Sequence, residues 1–241
     1  MKPVGPEQIQ DTHEHDYISL SVSNLKKYKQ MKKILLIIAV GLGIISCEQD
    51  DYLVDGGLSD GHVRTTTFDF LKSHDQLDTL ALLIERGGFV EEVNGVSTLF
   101  APNDLSIKNY VNKVLAEMRQ IDPEAEFTVD DIPVDTLTKY LGGYIFTDRI
   151  RREDMVKEGR IYSAINGEER RLSLEPTQEY TDQLSEYPEY VYYTYKGGSD
   201  WDDWNNITDD TKIVVRTSNL ISTNGIIHVL QGSHTLFNYK D

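Results

Sequence analysis

The sequence predicts an α+β domain, with N-terminal helices packed on a wedge or sandwich of short strands, and three observations lead there. Apolar residues recur at helical spacing in the first part of the domain, β-branched and aromatic runs fill the part after Gly143, and the two kinds of segment do not alternate. Alternation would signal a βαβ repeat; helices followed by strands signal α+β.

The helices come first. In "HDQLDTLALLIERGG", Leu77, Leu80, Ala81 and Ile84 fall at i, i+3, i+4 and i+7, and Gly87 can take the left-handed conformation that ends a helix. "VSTLFAPND" then runs from a β-prone stretch into Pro102, which stops a strand, and Asn103, which suits the N-cap of a following helix. Ile107, Tyr110, Val111, Val114, Leu115 and Met118 mark the buried face expected for that helix. A further helix is expected to start at Pro133 and to run through Leu137 and Leu141 to Gly142-Gly143. After Gly143, "YIF", "RIYSAI", "RRLSLE", "YVYYTY", "KIVVRT" and "GIIHVLQ" read as short strands between turn-forming clusters.

Ahead of this domain the chain reads as an export signal. Lys32-Lys33 is followed by Ile34 to Ile45 without a charged residue, an apolar run of about twelve, the length of a signal-peptide core and short of the roughly 20 needed to span a membrane. Ile44-Ile45-Ser46-Cys47 resembles a bacterial lipobox, which implies that Cys47 carries a lipid and begins the mature chain. The competing reading is a buried helix with an incidental thiol. Met31 opens this signal, so residues 1–30 read as an extension upstream of the true start, 31–46 as the signal peptide, 47–65 as a flexible acidic tether and 66–238 as the domain. Acidic residues directly after Cys47 resemble the signal that sends some Gram-negative lipoproteins to the outer face of the outer membrane; they are also ordinary linker composition.

The chain has 24 basic and 40 acidic residues, a formal net charge of −16, and because 6 of the basic and 4 of the acidic ones precede Cys47 the mature part carries −18. Such a surface repels phosphate backbones and excludes nucleic acid as a partner. A single cysteine allows no disulfide within the chain.

Two stretches are similar to the signature boxes of fasciclin domains. "STLFAPND", residues 97–104, resembles the first box and "TNGIIHVLQGSHTLF", residues 223–237, the second, in the family's order at opposite ends of the domain. The resemblance spans roughly Thr66 to Phe237 and implies a fasciclin-type fold with a role in adhesion or matrix association. It makes Phe100, Pro102, Asn103, Asn224, Gly225 and His228 scaffold residues. Asn224-Gly225 is expected to supply positive φ at a tight turn, and His228 among apolar neighbours to be a hydrogen-bonded core residue rather than a ligand or an acid/base group. Where family members carry a tyrosine-histidine motif linked to integrin adhesion, "KYLGGYIF" sets Tyr144 at the histidine position, so that activity does not carry over.

Residues 177–210 are long for the family and aromatic. Tyr190, Tyr192, Trp201 and Trp204 beside carboxylates and amides suit a platform that stacks on sugar rings; alternatively the tyrosines pack on a strand face and the tryptophans staple a loop. "DWDDWNNITDD" offers oxygen ligands for a loose calcium site without the spacing of an EF-hand. His62, His74 and His234 read as solvated or structural. No nucleophile-base constellation or phosphate loop is present in the sequence, so neither catalytic residues nor a cofactor or metal are expected. The expected partners are an extracellular protein or polysaccharide, plus the membrane through the lipid anchor.

Overall fold

Residues 60–177 and 187–239 are described by the computed structural model. Cys47, the segments 1–30 and 31–46, and most of the tether lie outside the described residues.

Among the described residues five α-helices precede or interleave the strands: α1 (Thr67–Ser73), α2 (Asp78–Gly87), α3 (Val90–Asn94), α4 (Asp104–Ile121) and α5 (Val134–Tyr140). The strands are β1 (Ser97–Ala101), β2 (Ile145–Phe146), β3 (Arg160–Ser163), β4 (Glu169–Pro176), β5 (Glu189–Tyr195), β6 (Thr211–Ile221) and β7 (Gly225–Leu230). They form one mixed sheet in the order β2-β1-β7-β6-β5-β4-β3, antiparallel except where β1 and β7 run parallel. The α+β class is therefore the one the sequence predicts.

The long strand β6 joins two halves of this sheet. Its start pairs with β5 from Thr211 to Val214, and its end pairs with β7 from Val215 to Ile221 across two register shifts. Irregularities of this kind bend a strand and raise its twist, and here they accompany the exchange of β5 for β7 as partner along β6.

β1 is buried along its whole length, and β7 everywhere except half-buried Val229. Burial on both faces is why their sequences read as near-continuous apolar runs rather than alternating ones. Leu71, Leu80, Leu83 and Ile84 from the helices join Leu99, Phe146, Ile227 and Leu230 from the sheet in one core.

Three local expectations are revised. The left-handed cap of α2 is Gly88, at φ 79° and ψ 25°, rather than Gly87. Gly87 serves packing instead, because a Cβ there would come within 3.1 Å of the Leu141 side chain and 3.3 Å of Leu137. On α4, Ile107 and Tyr110 are buried, but Met118 is 38% and Ile121 91% exposed, so the helix's last turns leave the core. The domain also begins before Thr66: Ile221 N–H donates to Gly61 C=O at 2.7 Å and Val63 N–H to Ile221 C=O at 3.0 Å, which removes residues 61–65 from the tether.

Candidate functional site

The two family-like boxes meet on adjacent strands. Phe100 of β1 lies opposite His228 of β7 in register, and their rings stack at 4.7 Å with 18° between planes. His228 is fully buried. Its Nε2 lies 2.9 Å from the Ile150 carbonyl, which can only accept, so the proton sits on Nε2, and Nδ1 takes the Asn219 N–H at 3.4 Å. Burial pulls its pKa down to about 4, so the ring is neutral.

Pro102 follows β1, and Asn103 caps α4 by accepting the Ser106 N–H at 3.1 Å.

Asn224 and Gly225 do not take positive φ. The Asn224 side chain instead reaches across the domain: Oδ1 accepts the Thr67 N–H at 2.9 Å, and Nδ2 donates to the Asn94 carbonyl at 2.6 Å. Asn94 Oδ1 accepts the Phe68 N–H at 3.1 Å, and Thr66 Oγ1 accepts the Asp69 N–H at 3.2 Å. The three otherwise orphaned N–H groups of the first turn of α1, at Thr67, Phe68 and Asp69, are thereby satisfied, and Phe70 N–H on Thr66 C=O at 3.0 Å begins the helix's own ladder. Gly225 is required by close approach, since a Cβ would stand 2.8 Å from Ser97 O and 3.0 Å from Thr67 Oγ1.

Tyr190 and Tyr192 lie on β5, and the tryptophan loop lies against side chains of β4 and β6. Tyr190 and Tyr192 on β5 oppose Glu175 and Ser173 on β4. They line a pocket of about 430 Å³ with Thr177, Val214, Arg216 and Gln231, and neither tryptophan lines it. A cation lies over one face of both tryptophans and of Tyr192: Lys157 is 4.6 Å from the Trp204 ring, Arg171 5.3 Å from Trp201 and Lys212 5.2 Å from Tyr192. Lys212 also pairs with Glu175 at 2.7 Å and donates to the Trp204 carbonyl at 2.6 Å.

Two acids of the tryptophan loop, Asp202 and Asp210, are consumed internally. Asp202 accepts the N–H groups of Thr208, Asp209 and Asp210 at 2.7 to 2.8 Å, which holds its carboxyl well below the usual range. Asp210 is buried, pairs with Arg171 at 3.2 Å and accepts the Gly197 N–H at 2.9 Å. Among the described residues, no group of three or more His, Cys, Asp or Glu side chains could hold a metal ion. The tryptophan rings thus lie against Arg171 of β4 and Lys157, in a loop that bonds to itself.

A second site joins residues far apart in the sequence. Tyr144, Tyr193, Tyr195, His234 and Arg170 are all buried and mutually connected. Tyr144 Oη lies 2.9 Å and Tyr195 Oη 3.4 Å from His234 Nε2, and Tyr193 donates to Gly143 C=O at 2.6 Å. Arg170 Nε donates to Tyr193 Oη at 2.8 Å, its guanidinium lies 4.3 Å from the centre of the Tyr195 ring, and it pairs with Glu168. Burial pushes the Tyr193 phenol up to about 12, with Arg170 partly offsetting it, and raises Tyr144 and Tyr195 as well. Burial, helped by Arg170, lowers His234 to about 3. The cluster therefore holds neutral phenols and a neutral imidazole around one buried cation.

Above it opens a pocket of about 350 Å³, walled by Tyr140 and Phe237 and edged by Glu168, Glu169, Lys196 and Asn238. Two consecutive non-glycine residues on this rim have positive φ, Phe237 at 63° and Asn238 at 50°. Phe237 is held there by its N–H, which donates to Tyr144 Oη at 2.7 Å. Sequence reading misses this site. The one available signal is Arg170-Arg171 in mid-strand, where adjacent side chains point to opposite faces, so that one arginine had to enter the domain.

No protein-family model matches the chain, and no curated protein matches it. Among solved structures it is similar to a FAS1 domain pair from the insect cell adhesion molecule Fasciclin I, at 17% identity and a TM-score of 0.44. The match covers 71% of this chain and 50% of that one, so the chain spans about half the length of the domain pair.

Proposed function

We propose that the chain is a fasciclin-type binding module, held outside the cytoplasmic membrane by a lipid on Cys47, which attaches to another macromolecule and performs no chemistry. One observation carries this reading: the two box-like stretches, at opposite ends of the domain sequence, run side by side as β1 and β7 with Phe100 stacked on His228. Their polar residues are spent on internal bonds, which leaves the loops and the outer sheet face for contact. The anchor rests on the sequence, namely Lys32-Lys33, the apolar run and Ser46-Cys47. The acidic tether supports display at the outer surface of an outer membrane. The partner is an extracellular protein or a polysaccharide, and the net charge of −18 after Cys47 argues against nucleic acid.

A second reading, an accessory glycan-binding lipoprotein of polysaccharide uptake, is favoured by the pocket lined by Tyr140 and Phe237 rather than by the tryptophans. A carboxylate-dependent hydrolase has less support, because Asp202 and Asp210 are committed to the loop that contains them.

The test is binding of the full chain to immobilised matrix proteins and polysaccharides, with product release from the same polysaccharides followed in parallel. Saturable binding without turnover is expected. Turnover abolished by one carboxylate substitution would overturn the reading.

A further inference from the structure

We propose that the pocket beside the packed rings of Tyr140 and Phe237 is a binding site for an uncharged saccharide. This names a ligand class for the binding reading above and rests on it.

The walls suit a sugar ring. Tyr140 and Phe237 pack together as one wall, with ring centroids 5.5 Å apart and 38° between planes; Lys139 covers one face of Tyr140 at 4.8 Å and leaves the other, and Tyr195, with Arg170 stacked on it, also lines the pocket. Aromatic faces of this kind cover the apolar C–H face of a pyranose. Around them stand groups that hydrogen-bond hydroxyls in both directions. Glu168 and Glu169 accept, while Arg170, Lys196 and the Asn238 amide donate. A vicinal diol, donor and acceptor at once, matches such a mixed rim.

Charge selects against ions. The two cations and two carboxylates lining the pocket balance, and Arg170 is already paired with Glu168. An acidic sugar would have to approach Glu168 and Glu169, within a domain whose overall charge repels anions. A cationic ligand would have to approach Arg170 and Lys196. A volume of about 350 Å³ lies at the small end of the range for small-molecule pockets, enough for the end of a saccharide chain.

The pocket is also held in shape before any ligand enters. Positive φ at a phenylalanine is unfavourable and persists only where surroundings enforce it, and such backbone clusters at ligand clamps. Here the enforcement comes from Tyr144, whose hydroxyl bonds both the Phe237 N–H and His234. Tyr140 is half-buried on the last turn of α5, so its ring can be removed with little effect on the core.

The experiment titrates the full chain with cellotriose, maltotriose, mannotriose and triacetylchitotriose, and with trigalacturonate as the acidic contrast, following protein amide shifts and calorimetric heat. At least one neutral trisaccharide is expected to bind saturably, with shifts at residues 140, 168–170 and 237–238. Tyr140→Ala is expected to weaken that binding at least tenfold and Glu169→Gln at least threefold at unchanged melting temperature, while Ile121→Ala at the exposed end of α4 leaves it unaltered. No binding of any neutral trisaccharide, preference for trigalacturonate, or binding indifferent to Tyr140→Ala each overturns the assignment. Continued binding of the full chain to matrix proteins or polysaccharides in that event leaves the module reading standing, so the two failures are distinguishable.

Discussion

Replacing Asn224 tests whether the second box acts through its side chain or through its backbone. Asn224→Ala removes the acceptor of the Thr67 N–H and the donor to the Asn94 carbonyl. Thr67 is 1% exposed, so water does not readily replace the lost acceptor. An orphaned buried donor costs about 1–3 kcal/mol, and loss of a helix cap costs about 0.5–2 kcal/mol. The two descriptions overlap on one N–H, so a combined loss of about 2–3 kcal/mol is expected, or about 4–12 °C in Tm at the 2–4 °C per kcal/mol of a domain this size. Urea unfolding followed by tryptophan fluorescence and circular dichroism reads it. Asn224→Gly discriminates between the two roles. If the asparagine served a left-handed turn, glycine would be neutral or stabilising; at its observed φ, glycine should cost at least as much as alanine. Asn224→Asp keeps the acceptor, places a negative charge at a helix N-terminus and should fall between. A loss under 0.5 kcal/mol for alanine, or a glycine variant as stable as the parent, would refute the reasoning.

Other expectations follow from the same geometry. His228 and His234 have folded pKa values of about 4 and about 3, below the unfolded value near 6.5, so the unfolded chain binds more protons in acid. Their contribution is complete above about pH 6.5 and is lost as pH falls towards 4; urea midpoints at pH 7.5, 6 and 5 should show a loss of about 2 kcal/mol per histidine by pH 5, and His228→Phe should remove part of that slope. His228→Ala should destabilise by roughly 2–4 kcal/mol through the cavity and the orphaned Ile150 carbonyl, again by urea unfolding. Asp202→Ala should open residues 197–210 to limited proteolysis, because three N–H groups lose their shared acceptor; an unchanged cleavage pattern would contradict the self-bonded loop. Trp201→Ala with Trp204→Ala should lower Tm, with any loss of binding tracking the unfolded fraction.

The strands were legible because each is a β-branched or aromatic run bounded by turn residues, and all six predicted after Gly143 form. Helix α1 was not: "TFDFLKS" is too short for a clear period, and its N–H groups are capped partly by Asn94 and Asn224 from elsewhere in the chain. Met118 continued the apolar stripe of α4 in sequence, yet the core ends sooner than the stripe does. For the site, periodicity could place Tyr190 and Tyr192 on a strand, but the cations covering Trp201 and Trp204 come from β4 and from Lys157 ahead of β3. The Tyr144, Arg170, Tyr195 and His234 cluster draws on four separate segments, and only the sheet order and the C-terminal turn bring them together.

The claim that this is a surface-held binding module is tested most directly by retention of cells on surfaces coated with matrix protein or polysaccharide. Cells producing the full chain, cells producing Cys47→Ser and cells lacking the protein are compared under the same flow. Retention by the full chain alone, on at least one coating, is the expected result. Equal retention of all three on every coating, with the full chain detectable at the cell surface, would contradict the account.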